Sequence, residues 1–321
     1  MKTTKKILTL VLALALIFAL AAPSFAIVDD NQPVYGQAPY YVQDTISDYY
    51  VSGTFTVYLS IYSGIYDSNG PIETVLAVPM GSANATNQLY TVEDVLVAAH
   101  TYYPSYSFNI QHNVNTLMGY YASWLQGVSK SDIGSGVWFE ALPLHYNGNS
   151  TAYPGGWMFR VNGMIPFYIP SGSTNPIGCL ISDAYVTAND VIDLYYDNIY
   201  TQALATRVVT IQYVGDNNGA PGFVALASQS YYTNAVGEDW HVTSWALLTN
   251  SSFTVKVGSN SYDVSTDGYG YFELPASTHG TDIMFTSVPF PANYPITYND
   301  GNITHYYRVP YWVGMYVRVS F

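Results

Sequence analysis

The sequence predicts a mainly β protein with an α+β part: a small α+β domain over residues 53–198, followed by a β-sandwich domain over residues 207–321. Short runs of alternating apolar and polar residues recur along the chain, and Gly, Asn, Asp and Pro separate them. Apolar residues show clear helical spacing in one place, residues 91–100. After residue 206 the strand-like runs continue without a helix, which is typical of a sandwich.

The first 26 residues predict a secretion signal. A start with three lysines precedes an almost unbroken apolar run over residues 7–22, and small residues precede a cut after Ala26. The run is shorter than the roughly 20 residues that span a bilayer. We therefore expect cleavage, an extracellular or cell-surface location, and no membrane span in the mature chain.

The composition of the mature chain excludes some classes of function and favours others. Six Lys and Arg stand against 22 Asp and Glu, a net charge of −16 that disfavours nucleic acid. The 33 tyrosines exclude a disordered chain and are typical of adhesive and sugar-facing surfaces, because tyrosine offers a flat apolar face with a polar tip. The single cysteine, Cys179, has no disulfide partner in the chain, and we expect a buried structural thiol.

The elements of the α+β domain follow an extended lead-in, residues 27–52. Alternation predicts strands over residues 54–61 and 75–79. Thr91 and Asp94 predict a capped helix start, and one face of that helix is apolar. Residues 115–126 fit either a strand or a second helix, and residues 136–148 are strand-like.

The domain closes with a hairpin and a last strand. Residues 156–161 run into Asn162-Gly163, a strong signal of a tight turn. Residues 191–196 alternate again. We expect the hairpin strand to lie beside the 191–196 strand, with the helix packed on that sheet.

A short linker, residues 199–206, precedes the sandwich. Predicted strands there include 209–213, 253–257, 271–274 and 315–321.

Three motifs of residues 53–198 resemble the transcobalamin-like C-terminal domain of exported proteins from Gram-positive bacteria. Thr91–Ala99 is similar to its "TVxDALxxA" stretch, Gly156–Gly163 to its "GWxYxVNG" hairpin, and Asn189–Tyr196 to its "GDxIxWxY" strand. The resemblance implies a small α+β fold with one helix on a sheet. In vertebrate cobalamin carriers the related domain closes over the vitamin with a helical domain that this sequence lacks, so no cofactor is predicted. Residues 251–275 resemble a carboxypeptidase-regulatory type of immunoglobulin-like module, which implies a spacer or adhesive unit.

The candidate ligand site lies around the hairpin. If Trp157 faces the helix, alternation turns Arg160 outward as an isolated cation among aromatics, suited to an anionic or sugar ligand. Alternatively Arg160 pairs with Asp193 or Asp197 on the neighbouring strand. The candidate residues are Trp157, Arg160, Asn162, Gly163 and Tyr168.

No catalytic or metal-binding residues are predicted, because neither a nucleophile motif nor a zinc spacing is present. Carboxylates such as Asp183 and Asp190 show no pairing that would mark a glycosidase. Oxygen-rich turns leave calcium open, with plain Asx turns as the alternative. These turns are residues 29–31, 67–69, 216–218 and 299–302.

We therefore expect a secreted or surface-associated, non-catalytic binding or adhesion protein that contacts a glycan, a protein or a small ligand outside the cell. The second hypothesis is capture of a cobalamin-like small molecule at the Asn162-Gly163 tip, in a concave pocket. The third is a divergent secreted glycoside hydrolase. An adhesin would instead show a flat, exposed aromatic patch.

Overall fold

The protein is described by a computed structural model, and its mainly β class is as predicted. The structure describes residues 33–43, 45–62, 65–66, 73–115, 120–130, 139–140, 156–174, 176–197, 206–232, 240–279, 283–287, 294–299, 304–309 and 312–317. We refer to the described parts of residues 53–198 and 207–321 as the first and second unit.

The first unit contains one α-helix and short to medium strands. Its elements are β2 (Thr54–Tyr62), β3 (Ile65–Tyr66), β4 (Glu73–Gly81), β5 (Tyr90–Thr91), α1 (Val92–Tyr102), β6 (Tyr106–Asn115), β7 (Tyr120–Lys130), β8 (Phe139–Glu140), β9 (Gly156–Val161), β10 (Ile165–Tyr168), β11 (Ile177–Gly178), β12 (Tyr185–Val186) and β13 (Val191–Asp197), with β1 (Tyr40–Val42) before them.

The second unit is built from strands and one 3₁₀ turn, Ala276–Thr278. Its strands are β14 (Arg207–Asn217), β15 (Ala220–Tyr232), β16 (Trp240–Val242), β17 (Ala246–Leu247), β18 (Ser252–Val257), β19 (Asn260–Ser265), β20 (Tyr271–Glu273), β21 (Ile283–Ser287), β22 (Tyr294–Asn299), β23 (Thr304–Val309), β24 (Trp312–Gly314) and β25 (Tyr316–Val317).

The central sheet of the first unit has the order β4-β2-β13-β9. β13 runs parallel to β2 and antiparallel to β9, so the hairpin strand lies beside the Tyr-rich strand as expected. Helix α1 packs on this sheet against β4 and β2. The predicted arrangement of hairpin strand, closing strand and helix is therefore confirmed.

Helix α1 begins with the capping box that the sequence predicts. The Asp94 amide donates to the Thr91 hydroxyl at 3.3 Å, and the Thr91 amide donates to the Asp94 carboxylate at 2.8 Å. The predicted apolar face packs against the sheet, and all four of its side chains are inaccessible to solvent. These side chains are Val92, Val95, Leu96 and Ala99.

The ambiguous segment 115–126 is a strand from residue 120 onwards, not a helix. β6 and β7 form a long antiparallel hairpin with an irregularity at Asn109 and Ile110. In the described part of this segment, backbone hydrogen bonds between β6 and β7 therefore determine the structure, although the apolar spacing also fits a helix.

The second unit contains two sheets packed face to face. One sheet has the order β16-β15-β14-β24, with β17 and β20 also paired to β15, and the other has the order β19-β18-β21-β25. Phe272 on β20 stacks on Phe223 of its own sheet at 5.5 Å and contacts Phe253 of the other sheet at 5.4 Å, centroid to centroid. This apolar interlayer is the packing of a β-sandwich.

β14 and β15 turn their other face toward the first unit. Buried Val208, Val224 and Leu226 belong to one contiguous cluster with Leu59 and Leu194 of the central sheet. The two units therefore share a hydrophobic core.

The lead-in is more structured than the extended segment we expected. β1 pairs in parallel with β10, and a 3₁₀ helix covers Ile46–Tyr49. The Trp245 amide donates to the Gln37 carbonyl at 2.9 Å, so the lead-in also contacts the second unit. Propensity alone does not show this, because the pairing partners lie more than a hundred residues away.

Several predicted features lie outside the described residues. They are the signal at 1–26, the turns at 29–31 and 67–69, the strand-like segment 136–148 except Phe139 and Glu140, the linker except Thr206, the turn at 299–302 except Asn299, and the chain end 318–321. Along the described stretches, no helix combines the length and apolar character that crossing a bilayer requires.

The helix cap provides a first prediction. Thr91→Ala removes the hydroxyl that accepts from the Asp94 amide, and we expect a loss of about 1 kcal/mol in unfolding free energy. Denaturant titration of the purified chain measures this. Thr101→Ala is the control, because its exposed hydroxyl binds a carbonyl within the helix and alanine favours the helical state. An equal loss in both variants would contradict the capping role.

Candidate functional site

The candidate site begins at the tight turn between β9 and β10. Asn162 and Gly163 have φ angles of 51° and 83°, the left-handed pair of a type I′ hairpin. Val161 and Met164 exchange backbone hydrogen bonds of 2.8 and 3.0 Å. The predicted tight turn is confirmed, and β10 then departs to pair with β1.

The tip of this turn is bonded to the protein itself. The Asn162 side chain donates to Asp190 at 2.8 Å and accepts from the Val191 amide at 2.9 Å. Asp190 also accepts from the Thr187 amide at 2.6 Å. Gly163 is buried, and a Cβ there would lie 2.8 Å from the Pro33 ring. The tip therefore joins β9 to the start of β13 and is covered by the lead-in.

Arg160 occupies the face of the central sheet opposite the helix, as alternation requires, but it is not exposed. Its exposed fraction is 0 %, which contradicts the expected surface position. The guanidinium donates to the Tyr195 hydroxyl at 3.2 Å, the Gly163 carbonyl at 3.3 Å and the Ser228 hydroxyl at 3.4 Å. The Trp245 ring lies 5.3 Å from its central carbon, within cation–π range.

The physical reason for this correction is the second unit. Ser228 and Trp245 belong to residues 207–321, and they cover the face that the sequence leaves open. Alternation along β9 determines to which face Arg160 points, whereas a distant part of the chain determines whether solvent reaches that face.

Asp193 is aligned with Arg160 on the neighbouring strand, whereas Asp197 is aligned with Gly156. The alternative hypothesis is therefore met in position, but the guanidinium hydrogen bonds described above go to Tyr195, Gly163 and Ser228 and not to Asp193.

Asp193 is 3 % exposed, and its carboxylate accepts from the Tyr316 amide at 3.0 Å. Burial raises the pKa of the Asp193 carboxyl to about 7. Hydrogen bonds from Tyr316 and Ser60 and the positive charge of Arg160 lower this pKa, but the effect of burial is larger. The second carboxylate oxygen of Asp193 has no hydrogen-bond partner among the described residues.

The five candidate residues therefore do not form one open site. Trp157 is 8 % exposed and belongs to the core, while Arg160 and Gly163 are buried. Asn162 and Tyr168 are partly exposed. The exposure that ligand binding at the tip requires is missing at three of the five positions.

Cys179 is a buried thiol, as the sequence predicts. The Gln43 amide donates to its sulfur at 3.2 Å. Burial, and then the nearby Asp183 carboxylate, raise the pKa of the thiol to about 12. At such a pKa the reactive thiolate is scarce at neutral pH, which agrees with a structural role.

The 216–218 turn uses its oxygens within the protein. Asp216 accepts from the Tyr213 hydroxyl at 2.8 Å and faces the His279 ring at 3.5 Å. The Asn217 amide donates to Glu273 at 2.6 Å. These contacts favour the plain-turn interpretation over calcium at this position. Within the described ranges, no three His, Cys, Asp or Glu side chains gather as a metal site requires.

The sequence predicted a surface rich in tyrosine, but it did not predict which tyrosines are exposed. The large exposed apolar side chains of the described surface are Tyr35, Tyr40, Ile46, Tyr50, Val97, Tyr102, Ile169, Ile177 and Tyr269. Tyr269, at 73 %, has the largest exposed fraction of these. Its Asp-Gly-Tyr-Gly turn is visible in the sequence, whereas its exposure is not.

The turn that carries Tyr269 is held by hydrogen bonds from its backbone amides to the Asp267 side chain. One Asp267 carboxylate oxygen accepts from the Tyr269 amide at 2.8 Å and from the Tyr271 amide at 2.9 Å. Gly270, at φ 75°, approaches so closely that a Cβ would lie 3.2 Å from the Ala225 carbonyl oxygen. The tyrosine is thus presented on a short, well-bonded loop.

The hairpin tip provides a second prediction. Gly163→Ala places a side chain at positive φ and against Pro33, so we expect a loss of at least about 1–2 kcal/mol in unfolding free energy. Gly178→Ala is the control, because its φ is not positive and no heavy atom in the described part of the chain lies within 4 Å of the added carbon. Thermal and denaturant unfolding distinguish the two, and unchanged stability of Gly163→Ala would contradict the packing of the tip.

Asp193 provides a third prediction, on pH. The folded protein binds the proton of the Asp193 carboxyl more tightly than the unfolded chain does, because in the unfolded chain this carboxyl has a pKa near its ordinary value of 3.8. The stabilisation is therefore complete below about pH 4 and is lost as the pH rises through about 7, at up to roughly 1.4 kcal/mol per pH unit.

Asp193→Asn removes this contribution. The difference in unfolding free energy, wild type minus variant, should fall from pH 4 to pH 7 and then level off. Denaturant titrations across that range measure the difference, and a value independent of pH would show that Asp193 does not titrate there.

The central-sheet arrangement agrees with the motifs that suggested a transcobalamin-like domain, but their assignment to that family stays a prediction. The chain matches no protein-family model, no curated protein and no solved structure.

Proposed function

We propose that the mature chain is a secreted or cell-surface, non-catalytic binding protein that contacts its partner through exposed tyrosines. The observation that supports this most is Tyr269, a large aromatic side chain with an exposed fraction of 73 %. Apolar side chains of this size are common on contact surfaces, where tyrosine combines a rigid ring with a hydroxyl.

The backbone around Tyr269 strengthens the argument. Asp267 bonds to two amides of the loop, and Gly270 packs against β15. A loop ordered before binding loses little conformational entropy when the partner arrives, so more of the contact energy appears as affinity. A tyrosine with only two side-chain torsions adds little further cost.

Two carboxylates of the first unit, Asp190 and Asp193, support a non-catalytic role. Asp190 accepts hydrogen bonds from Asn162 and from Thr187, so its oxygens serve the fold. Asp193 lies buried between the two units, where a polysaccharide has no access.

Small-molecule capture at the hairpin tip has less support, because Pro33 covers Gly163 and the second unit covers Arg160.

The fourth prediction tests the proposed function. Wild-type mature chain is passed over immobilised polysaccharides and extracellular-matrix proteins, and affinity is measured for whichever it retains. Tyr269→Ser should lower that affinity about tenfold, as removal of an interface anchor typically does.

Val97→Ser is the matched control, since Val97 is another strongly exposed apolar side chain, on helix α1. Equal losses in both variants would indicate general stickiness, and retention by none of the surfaces would overturn the proposal.

A further inference from the structure

A second aromatic surface lies on the small sheet of β1, β10 and β11. Val42 is aligned with Phe167, and Phe167 with Gly178, so these three positions share one face. Tyr40 lies two residues before Val42 and therefore on the same face. We call Tyr40, Phe167 and Gly178 the aromatic shelf.

The shelf is open on one side. Tyr40 is 39 % exposed, and its ring lies 4.9 Å from the Phe167 ring at an angle of 44°. On the other side of Phe167 the aligned position in β11 is Gly178, which has no side chain and is exposed. Among the described residues, no heavy atom lies within 4 Å of a Cβ built there. A flat ligand therefore has room beside the Phe167 ring.

The segments that build the shelf carry no charge, since none of residues 33–43 or 165–178 is Asp, Glu, Lys, Arg or His. Asp183 lies next to this sheet, because its carbonyl accepts from the Gln43 side chain at 2.8 Å. The loop between β10 and β11 adds exposed hydroxyl side chains, Ser171, Ser173 and Thr174. The strands of the shelf themselves therefore offer an ionic partner no opposite charge.

The shelf is also small. β1, β10 and β11 contribute three, four and two residues. A stable protein interface buries about 800 Å² on each partner and is enriched in arginine. A few sugar units need far less area, and their apolar C–H faces stack on aromatic rings while their hydroxyls bond to polar groups at the edge.

We propose that the aromatic shelf binds a sugar ring of a neutral polysaccharide. The ring lies over Phe167 and the open backbone at Gly178, with Tyr40 at its side. This inference rests on the proposed binding function and names the class of partner and the surface that contacts it.

The test uses the full mature chain and soluble polysaccharides: a neutral glucan, a neutral mannan, a neutral galactan and an anionic polygalacturonate. Gly178 has no positive φ, and a Cβ built there meets no heavy atom of the described residues within 4 Å, so we expect Gly178→Leu to fold and to fill the space beside Phe167. Tyr40→Ala removes the side of the shelf. Ser261→Leu, an exposed leucine on β19, is the control for added apolar surface.

Affinity electrophoresis or calorimetry should show binding of at least one neutral polysaccharide. Gly178→Leu and Tyr40→Ala should weaken it at least tenfold, and Ser261→Leu should leave it unchanged, with equal melting temperatures for the glycine variant and the wild type.

Other outcomes overturn the inference in distinguishable ways. If a neutral polysaccharide binds but Gly178→Leu retains full affinity, the shelf is not the site. If only polygalacturonate or a protein is bound, the partner class is wrong while the proposed binding function stands. If no glycan and no protein is bound, both proposals fail.

Discussion

The burial of Arg160 between the two units constrains the rest of the structure. A guanidinium removed from water is costly unless its donors find acceptors and its charge finds a counterpart. Here the first unit supplies Tyr195 and the Gly163 carbonyl, and the second supplies Ser228 and the Trp245 ring. The cation is therefore accommodated only when both units are in place. Apolar contacts around it contribute affinity between the units, whereas these directional bonds specify how the units meet.

Because of this burial, the hairpin residues Arg160, Asn162 and Gly163 do not form an exposed ligand site. They hold the turn, close the sheet and join the two units. The Asn162 side chain binds both Asp190 and the Val191 amide, so even the polar group at the tip serves β13. The hairpin thus has a structural role, because its turn connects β9 to the start of β13.

Both proposed contact surfaces depend on backbone geometry as much as on aromatic side chains. The Asp267 carboxylate orders the loop that presents Tyr269, and Gly178 adds no side chain at the position aligned with Phe167. Ordered aromatic rings on a surface with few charges can contact a partner at small entropic cost. The scarcity of charged residues, 10 % of the chain, agrees with contacts that depend on shape and hydroxyl groups.

Local sequence signals were enough to predict the capped helix from Thr91, the Asn162-Gly163 turn and the alternating strands, because capping, turn chemistry and alternation act over a few residues. Alternation also predicted which face of β9 carries Arg160. Packing between distant segments buries that face, pairs the lead-in as β1 and sets which tyrosines remain exposed. Those outcomes depend on contacts such as Arg160 with Ser228, 68 residues apart, and no local pattern records which distant segment will cover a given face.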